Sequence, residues 1–140
     1  MADLQGYGKV QVIGFDYLFY RSKVRQRVLH GVISRNPCPA ECENRRIVLL
    51  HDPGGFDLWN GDENLMVFSG HTHGGLLGFL SCGLFVTPMS MLTPMPDNGL
   101  FRKGSNVLYV HRGQGSRFLF GNFVLRVGVP TEQSLMRLYW

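Results

Sequence analysis

Three histidines and the glycines around them carry most of the chemistry this chain can offer. His71-Thr72-His73 stands between Gly70 and the pair Gly74-Gly75, and His51 precedes it at the end of an apolar run. A neutral imidazole is the commonest nitrogen ligand for transition metals at physiological pH. In an extended segment residues i and i+2 point to the same side, so the spacing predicts that His71 and His73 converge. The flanking glycines suit a tight turn and a close approach of backbone to a ligand. His51 would join them if its strand lies beside the one before His71, because neighbouring strands are about 5 Å apart. These residue types at this spacing point to a bound divalent ion. H-x-H alone is a weak signal, so the surrounding elements decide its weight.

Those elements alternate. Lys9 to Phe15 is rich in β-branched residues and reads as a strand, followed directly by Asp16. Leu18 to Val32 places Leu18, Val24, Val28, Leu29 and Val32 among basic residues, as an amphipathic helix would. Asn36 to Asn44, with two prolines, reads as a surface loop. Ile47 to Leu50 and Leu65 to Phe68 are short continuous apolar runs, the pattern of buried strands in an α/β sheet. Each ends in a histidine-bearing loop, and ligands in open α/β sheets gather at the carboxyl ends of strands. Val107 to His111, Phe123 to Val127 and Leu135 to Tyr139 read as further strands. Thr87 to Gly99 reads as a long loop.

The remaining candidates are weaker. Asp52 is read as a cap of the segment that follows or as a partner that orients His51, capping being the commoner outcome. His30 is read as a cation near the end of the basic helix. His111 is read as structural, and Arg112, with its planar fork, as a group that could hold a phosphate oxygen. Phe56, Leu58 and Trp59 suit core packing better than an apolar lip. Gly113-Gln114-Gly115 is too short to be a nucleotide fingerprint.

Composition bounds the class. The 140 residues are 44% hydrophobic and 17% charged, with 18 glycines, which suits a globular, turn-rich chain. The net charge of +4 comes partly from Arg21, Lys23, Arg25 and Arg27, which read as a solvated helix face. Neither an aromatic RNA-binding pattern nor a helix-turn-helix signal accompanies them, so no nucleic-acid partner is expected. Cys38, Cys42 and Cys82 form no disulfide framework or zinc-ligand spacing and read as reduced thiols. The first residues hold no leader-like pattern, and the apolar stretch from Leu76 to Leu92 is broken by Gly78, Gly83 and Pro88. A cytoplasmic or membrane-peripheral location is expected.

The block FSGHTHGG resembles the last signature of the calcineurin-like metallophosphoesterases, and IVLLHDP resembles their preceding single-histidine block. Residues 96–115 and 125–138 are similar to the tail of a bacterial-type subgroup of that family. The likeness is close over residues 45 to 140 and loose over 9 to 45. It implies an α/β fold, the β-rich C-terminal part of a two-sheet sandwich. Residues 1–45 would be a linking segment with a basic helix, and 46–140 the metal-site half. It implies a phosphomono- or phosphodiesterase that uses two divalent ions of the Mn, Fe or Zn class. His51 and His71 would bind the second metal and His73 the first, with a phosphate ester as substrate and Arg112 as a residue that touches it. Two ions of this kind clamp a phosphate and activate a bridging water.

The family's earlier motifs do not precede His51. There is no Asp-x-His, no Gly-Asp with a bridging carboxylate and no Gly-Asn-His block. Gly61-Asp62 stands between His51 and His71, where the family has a spacer, and takes no metal role. Leu76 stands where many relatives have Gln. No residue is assigned the acid or base role. The expectation is therefore an incomplete site, completed by a complementing N-terminal half, with any membrane tether in that upstream part. The alternative is a catalytically inactive phosphoesterase-like fragment that serves as a binding module.

Overall fold

A computed structural model describes residues 2–4, 8–16, 22–42, 45–75, 96, 98–115, 117–119, 123–125 and 129–139. Among these residues there are eight strands and one α-helix: β1 (Ala2–Leu4), β2 (Gly8–Phe15), α1 (Ser22–Arg35), β3 (Arg46–Leu50), β4 (Leu65–Ser69), β5 (Gly99–Lys103), β6 (Asn106–Val110), β7 (Arg117–Leu119) and β8 (Phe123–Leu125). The first six strands form a mixed sheet in the order β1-β2-β3-β4-β6-β5. Its centre, β2-β3-β4-β6, is parallel, and β1 and β5 add antiparallel edges. β7 and β8 pair separately. This is an α/β fold.

The register explains what the sheet buries. Ile13, Val48, Val67, Leu108 and Phe101 form one row across the strands, and Phe15, Leu50, Ser69 and Val110 form another on the same face. α1 covers that face with Leu29 and Ile33, four residues apart on one side of the helix. A 3₁₀ segment, Pro53–Leu58, adds Phe56, and Trp59 follows it into the same core. Leu29, Val48, Val67, Leu108 and Val110 are fully buried. At about 25 cal/mol per Å² of buried apolar area, each such side chain contributes about 1.5–3 kcal/mol. On the opposite face Val12, Leu49 and Leu100 are exposed.

α1 is fastened to the 3₁₀ segment by polar contacts. Arg25 pairs with Asp52 at 2.7 Å, and His30 Nε2 lies 2.7 Å from the Leu58 carbonyl. The helix ends where the Asn36 amide turns back onto the Val32 carbonyl at 2.8 Å, with Pro37 next in line. Gly55 lets the segment sit on the sheet, since a methyl there would stand 3.1 Å from Leu50 Cδ2.

Several expectations hold and some do not. The strands foreseen at Lys9, Ile47, Leu65 and Val107 are present within a residue or two, and the one at Phe123 is found over Phe123–Leu125. The helix runs to Arg35, three residues beyond the end its apolar pattern suggested. His30 is therefore not at the helix end, and its nitrogen serves as a tether to Leu58. Lys23 and Arg27 are exposed, whereas Arg25 is half-buried against Asp52. Residues 131–139 form no strand, although Leu135 to Tyr139 alternates as one would. Leu135 is 94% exposed, so the alternation has no apolar face to pack against. β5 was not foreseen, and only its first residue, Gly99, falls in the expected loop. Leu18, Arg21, Leu76, Cys82 and most of the Thr87–Gly99 loop fall outside the described residues. Phe56 and Trp59 are core, and Cys42 is buried. Among the described residues no helix is long and apolar enough to cross a membrane.

Candidate metal centre at the strand ends

Parallel pairing places the functional residues side by side. Phe15, Leu50, Ser69 and Val110 are register partners in turn, so the next residue of each strand, Asp16, His51, Gly70 and His111, falls at the same sheet end. The ladder runs on one step, with the His111 N–H donating to the Ser69 carbonyl at 2.8 Å. Ser69 Oγ donates to the His51 carbonyl at 3.1 Å and so ties the two histidine-bearing strand ends together. A shallow cavity of about 350 Å³ opens there, lined by Asp16, His51, Ser69 and Gly70 with Phe15, Leu49, Leu50 and Phe68.

His51 and His71 meet. Nε2 of His51 lies 2.9 Å from Nδ1 of His71, with ring centroids 4.5 Å apart. One of the two nitrogens holds the proton and the other presents its lone pair. Two nitrogens each about 2.1 Å from one tetrahedral ion would be separated by about 3.4 Å. The 2.9 Å contact is a hydrogen-bond distance, about half an ångström shorter than that span.

His73 turns elsewhere. Its Nδ1 lies 3.0 Å from the Gly115 carbonyl. A carbonyl oxygen only accepts, so Nδ1 carries the proton of this bond and Nε2 is the lone-pair nitrogen of the neutral ring. Metal-binding histidines are commonly oriented in this way by a carbonyl on the second nitrogen. His73 nevertheless does not close on the other pair, and among the described residues no cluster of three or more His, Cys, Asp or Glu side chains could hold a metal.

The reason is local backbone. The segment after β4 is not extended, so the i, i+2 rule that predicted convergence does not apply. The Thr72 N–H bonds back to the Gly70 carbonyl at 2.8 Å, and a 3₁₀ turn spans His73–Gly75. His71, His73 and Gly74 have φ of 71°, 52° and 67°. Left-handed φ is uncommon for side-chain-bearing residues, and sparsely populated conformations cost about 1–3 kcal/mol each when the surrounding structure imposes them. Two such histidines stand in this one loop.

The other candidates have structural partners. Asp52 Oδ1 accepts from the Gly54 N–H at 2.9 Å, capping the 3₁₀ segment, while Oδ2 takes Arg25. It is a cap and an ion-pair partner. His111 Nδ1 accepts from the Gly113 N–H at 2.9 Å. Arg112, expected to touch substrate, gives its Nε and its backbone N–H to Glu132 at 3.1 and 3.0 Å. Gly61 and Asp62 precede β4 and lie at the other end of the strands, away from the histidine pair.

Asp16 was passed over because it lacks the Asp-x-His pattern, yet its place after β2 sets it in the cavity with His51. Only strand order reveals that neighbourhood. Glu132 was also missed, and no local pattern around it marks it. Comparison with protein-family models, with curated proteins and with solved structures finds no match.

Proposed function

We propose that this chain carries the histidine-rich half of a metal-dependent phosphoric ester hydrolase site. In this reading His51 and His71 hold one divalent ion of the Mn, Fe or Zn class, and His73 serves a second metal position through Nε2. The substrate is a phosphate mono- or diester. The observation that carries the proposal is the 2.9 Å approach of His51 Nε2 to His71 Nδ1 at the carboxyl ends of adjacent parallel strands. The resemblance of the FSGHTHGG block to the metallophosphoesterases names the reaction class. The ion would polarise a phosphoryl oxygen and lower the pKa of a bound water.

The chain's own residues divide the other tasks. Ser69 and the β4–β6 ladder hold the strand ends, and the Gly115 carbonyl sets the His73 tautomer. Among the described residues no third carboxylate or histidine groups with the pair closely enough to bridge two ions, and Asp52 is committed to Gly54 and Arg25. The proposal therefore includes a complementing half that supplies carboxylate ligands. It also includes the second layer of a sandwich over the face where Val12, Leu49 and Leu100 are exposed. The committed Asp52 favours the second reading, a phosphoesterase-like module that binds an ion and a partner without turnover.

One set of titrations separates these. Zinc or manganese added to the purified chain should bind near one ion per chain, and both His51→Ala and His71→Ala should abolish it. A chain that takes up no metal at micromolar concentrations sinks the proposal. Metal-dependent hydrolysis of an aryl phosphodiester that appears when a carboxylate-bearing complementing half is added, and is lost in His71→Ala, favours the enzyme, and metal binding without turnover in that mixture favours the module.

A further inference from the structure

The segment after Val129 reaches the candidate site from behind. Glu132 Oε2 accepts from both the backbone N–H and the Nε of Arg112, at 3.0 and 3.1 Å. Its Oε1 accepts from Ser134 Oγ at 2.7 Å and from the Tyr109 hydroxyl. Its own N–H donates to the Gly113 carbonyl at 3.1 Å. One residue thus grips Arg112 and Gly113 in the loop that follows β6. Two residues further on, the Gly115 carbonyl holds His73 Nδ1.

A second contact runs the same way. A methyl on Gly74 would stand 2.9 Å from Arg112 Cγ and 2.7 Å from Val129 Cγ1. The residue next to His73 is therefore wedged between Val129, which is buried, and the stem of the arginine that Glu132 holds. Several hydrogen bonds to one carboxylate, two of them from an arginine, are stronger than the same number between neutral groups.

We infer that Glu132 is a positioning residue for His73: it clamps the loop 111–115 so that the Gly115 carbonyl keeps the proton on Nδ1 and leaves Nε2 free to bind a metal. The value of that arrangement rests on the proposed role of His73 as a ligand, but the tautomer itself is a property of the metal-free chain. Burial opposes the charge on Glu132, yet the bonds from Tyr109, Ser134 and Arg112 hold its carboxyl down to about 2, so the clamp is charged at neutral pH.

The test is ring-nitrogen NMR of the metal-free chain, comparing wild type with Glu132→Gln, which keeps the side-chain volume, and with Glu132→Ala. Wild type should show His73 as the Nδ1–H tautomer. In the variants the Nε2–H form should appear for His73, with the His51 and His71 signals unchanged. Gly115→Ala, whose new methyl would meet His73 Cε1 at 3.0 Å, should disturb His73 in the same way with Glu132 intact. An unchanged His73 tautomer in folded Glu132→Gln overturns the inference, as does an Nε2–H tautomer in wild type. Zinc uptake at the His51–His71 pair should be unchanged in Glu132→Gln, because His73 serves the other proposed metal position. A tautomer shift in a chain that binds no metal would leave the clamp standing and remove the metal reading.

Discussion

The two ends of the parallel strands are built on opposite rules. At the amino end Asn106 is fully buried, its Oδ1 accepting from the Leu65 N–H at 3.0 Å and its Nδ2 donating to Glu63 at 2.7 Å. Glu63 in turn accepts the Asn60 and Gly61 N–H groups, both at 2.9 Å. Ser105 closes the set onto the Gly61 carbonyl and the Asn64 N–H. At the carboxyl end two imidazole nitrogens face one another, and the loop that brings them there has left-handed histidines. Where each donor has met a local acceptor, the end of the sheet stabilises the fold. Where one imidazole proton is shared between two rings in an exposed turn, the contact is the one a divalent ion would replace under the proposed function.

The sharpest way to break this contrast is at the amino end. Asn106→Ala removes both bonds and leaves buried polar groups unpaired, which costs about 1–3 kcal/mol for each orphaned group. Denaturant melts should show a loss at the upper part of the range for single substitutions. Gly104→Ala should also be costly, because its methyl would stand 2.2 Å from the Gly61 carbonyl oxygen. A shift no larger than that of a surface substitution would mean that this end is not a clasp.

A ligand should act only at the other end. Zinc at about 100 times its dissociation constant would stabilise a chain that binds it only when folded by about 2.7 kcal/mol. That increment should vanish in His51→Ala and His71→Ala and survive in Glu63→Gln. If Glu63→Gln abolishes it too, the two ends are not independent.

Acid should separate the carboxylate clasps from the histidines. Burial works to raise the Glu63 carboxyl, but the Asn106 amide and the Asn60 and Gly61 N–H groups together hold it below its ordinary value. Glu132 is held down to about 2. A carboxyl depressed by folding adds stability that is whole above its unfolded value, here 4.5, and is lost as pH falls through the folded one. Stability should therefore decline as pH falls from about 5 towards 2. Glu63→Gln and Glu132→Gln should each flatten that slope, and a slope unchanged in both would contradict these assignments.

The smallest effect should come from the histidine pair itself. His51 is exposed, so His51→Ala in the metal-free chain should stay within about 0.5 kcal/mol of wild type by chemical denaturation. A large loss would make the pair structural and erase the distinction between the ends.

Much of this was legible before any coordinates. Apolar runs such as Ile47 to Leu50 and Leu65 to Phe68 have no polar alternation, a pattern of strands in parallel sheets, although only one face is buried here and Leu49 is exposed on the other. The histidines at their ends were then bound to lie at one edge of the sheet. Leu135 to Tyr139 carries a strand's alternation just as clearly, yet no strand forms there among the described residues, because alternation specifies a face and not a partner to pair with. The sequence by itself determined the residue types and the central strands, because these follow from local pattern, and it made the meeting of His51 with His71 conditional on their strands being neighbours, which the sheet order supplies. Only the tertiary structure decided that Asp52 belongs to Arg25, that His73 turns to Gly115 and that Glu132 holds the loop between them. Those outcomes depend on left-handed backbone at His71 and His73 and on contacts between residues far apart in the chain, and neither leaves a periodic trace in sequence.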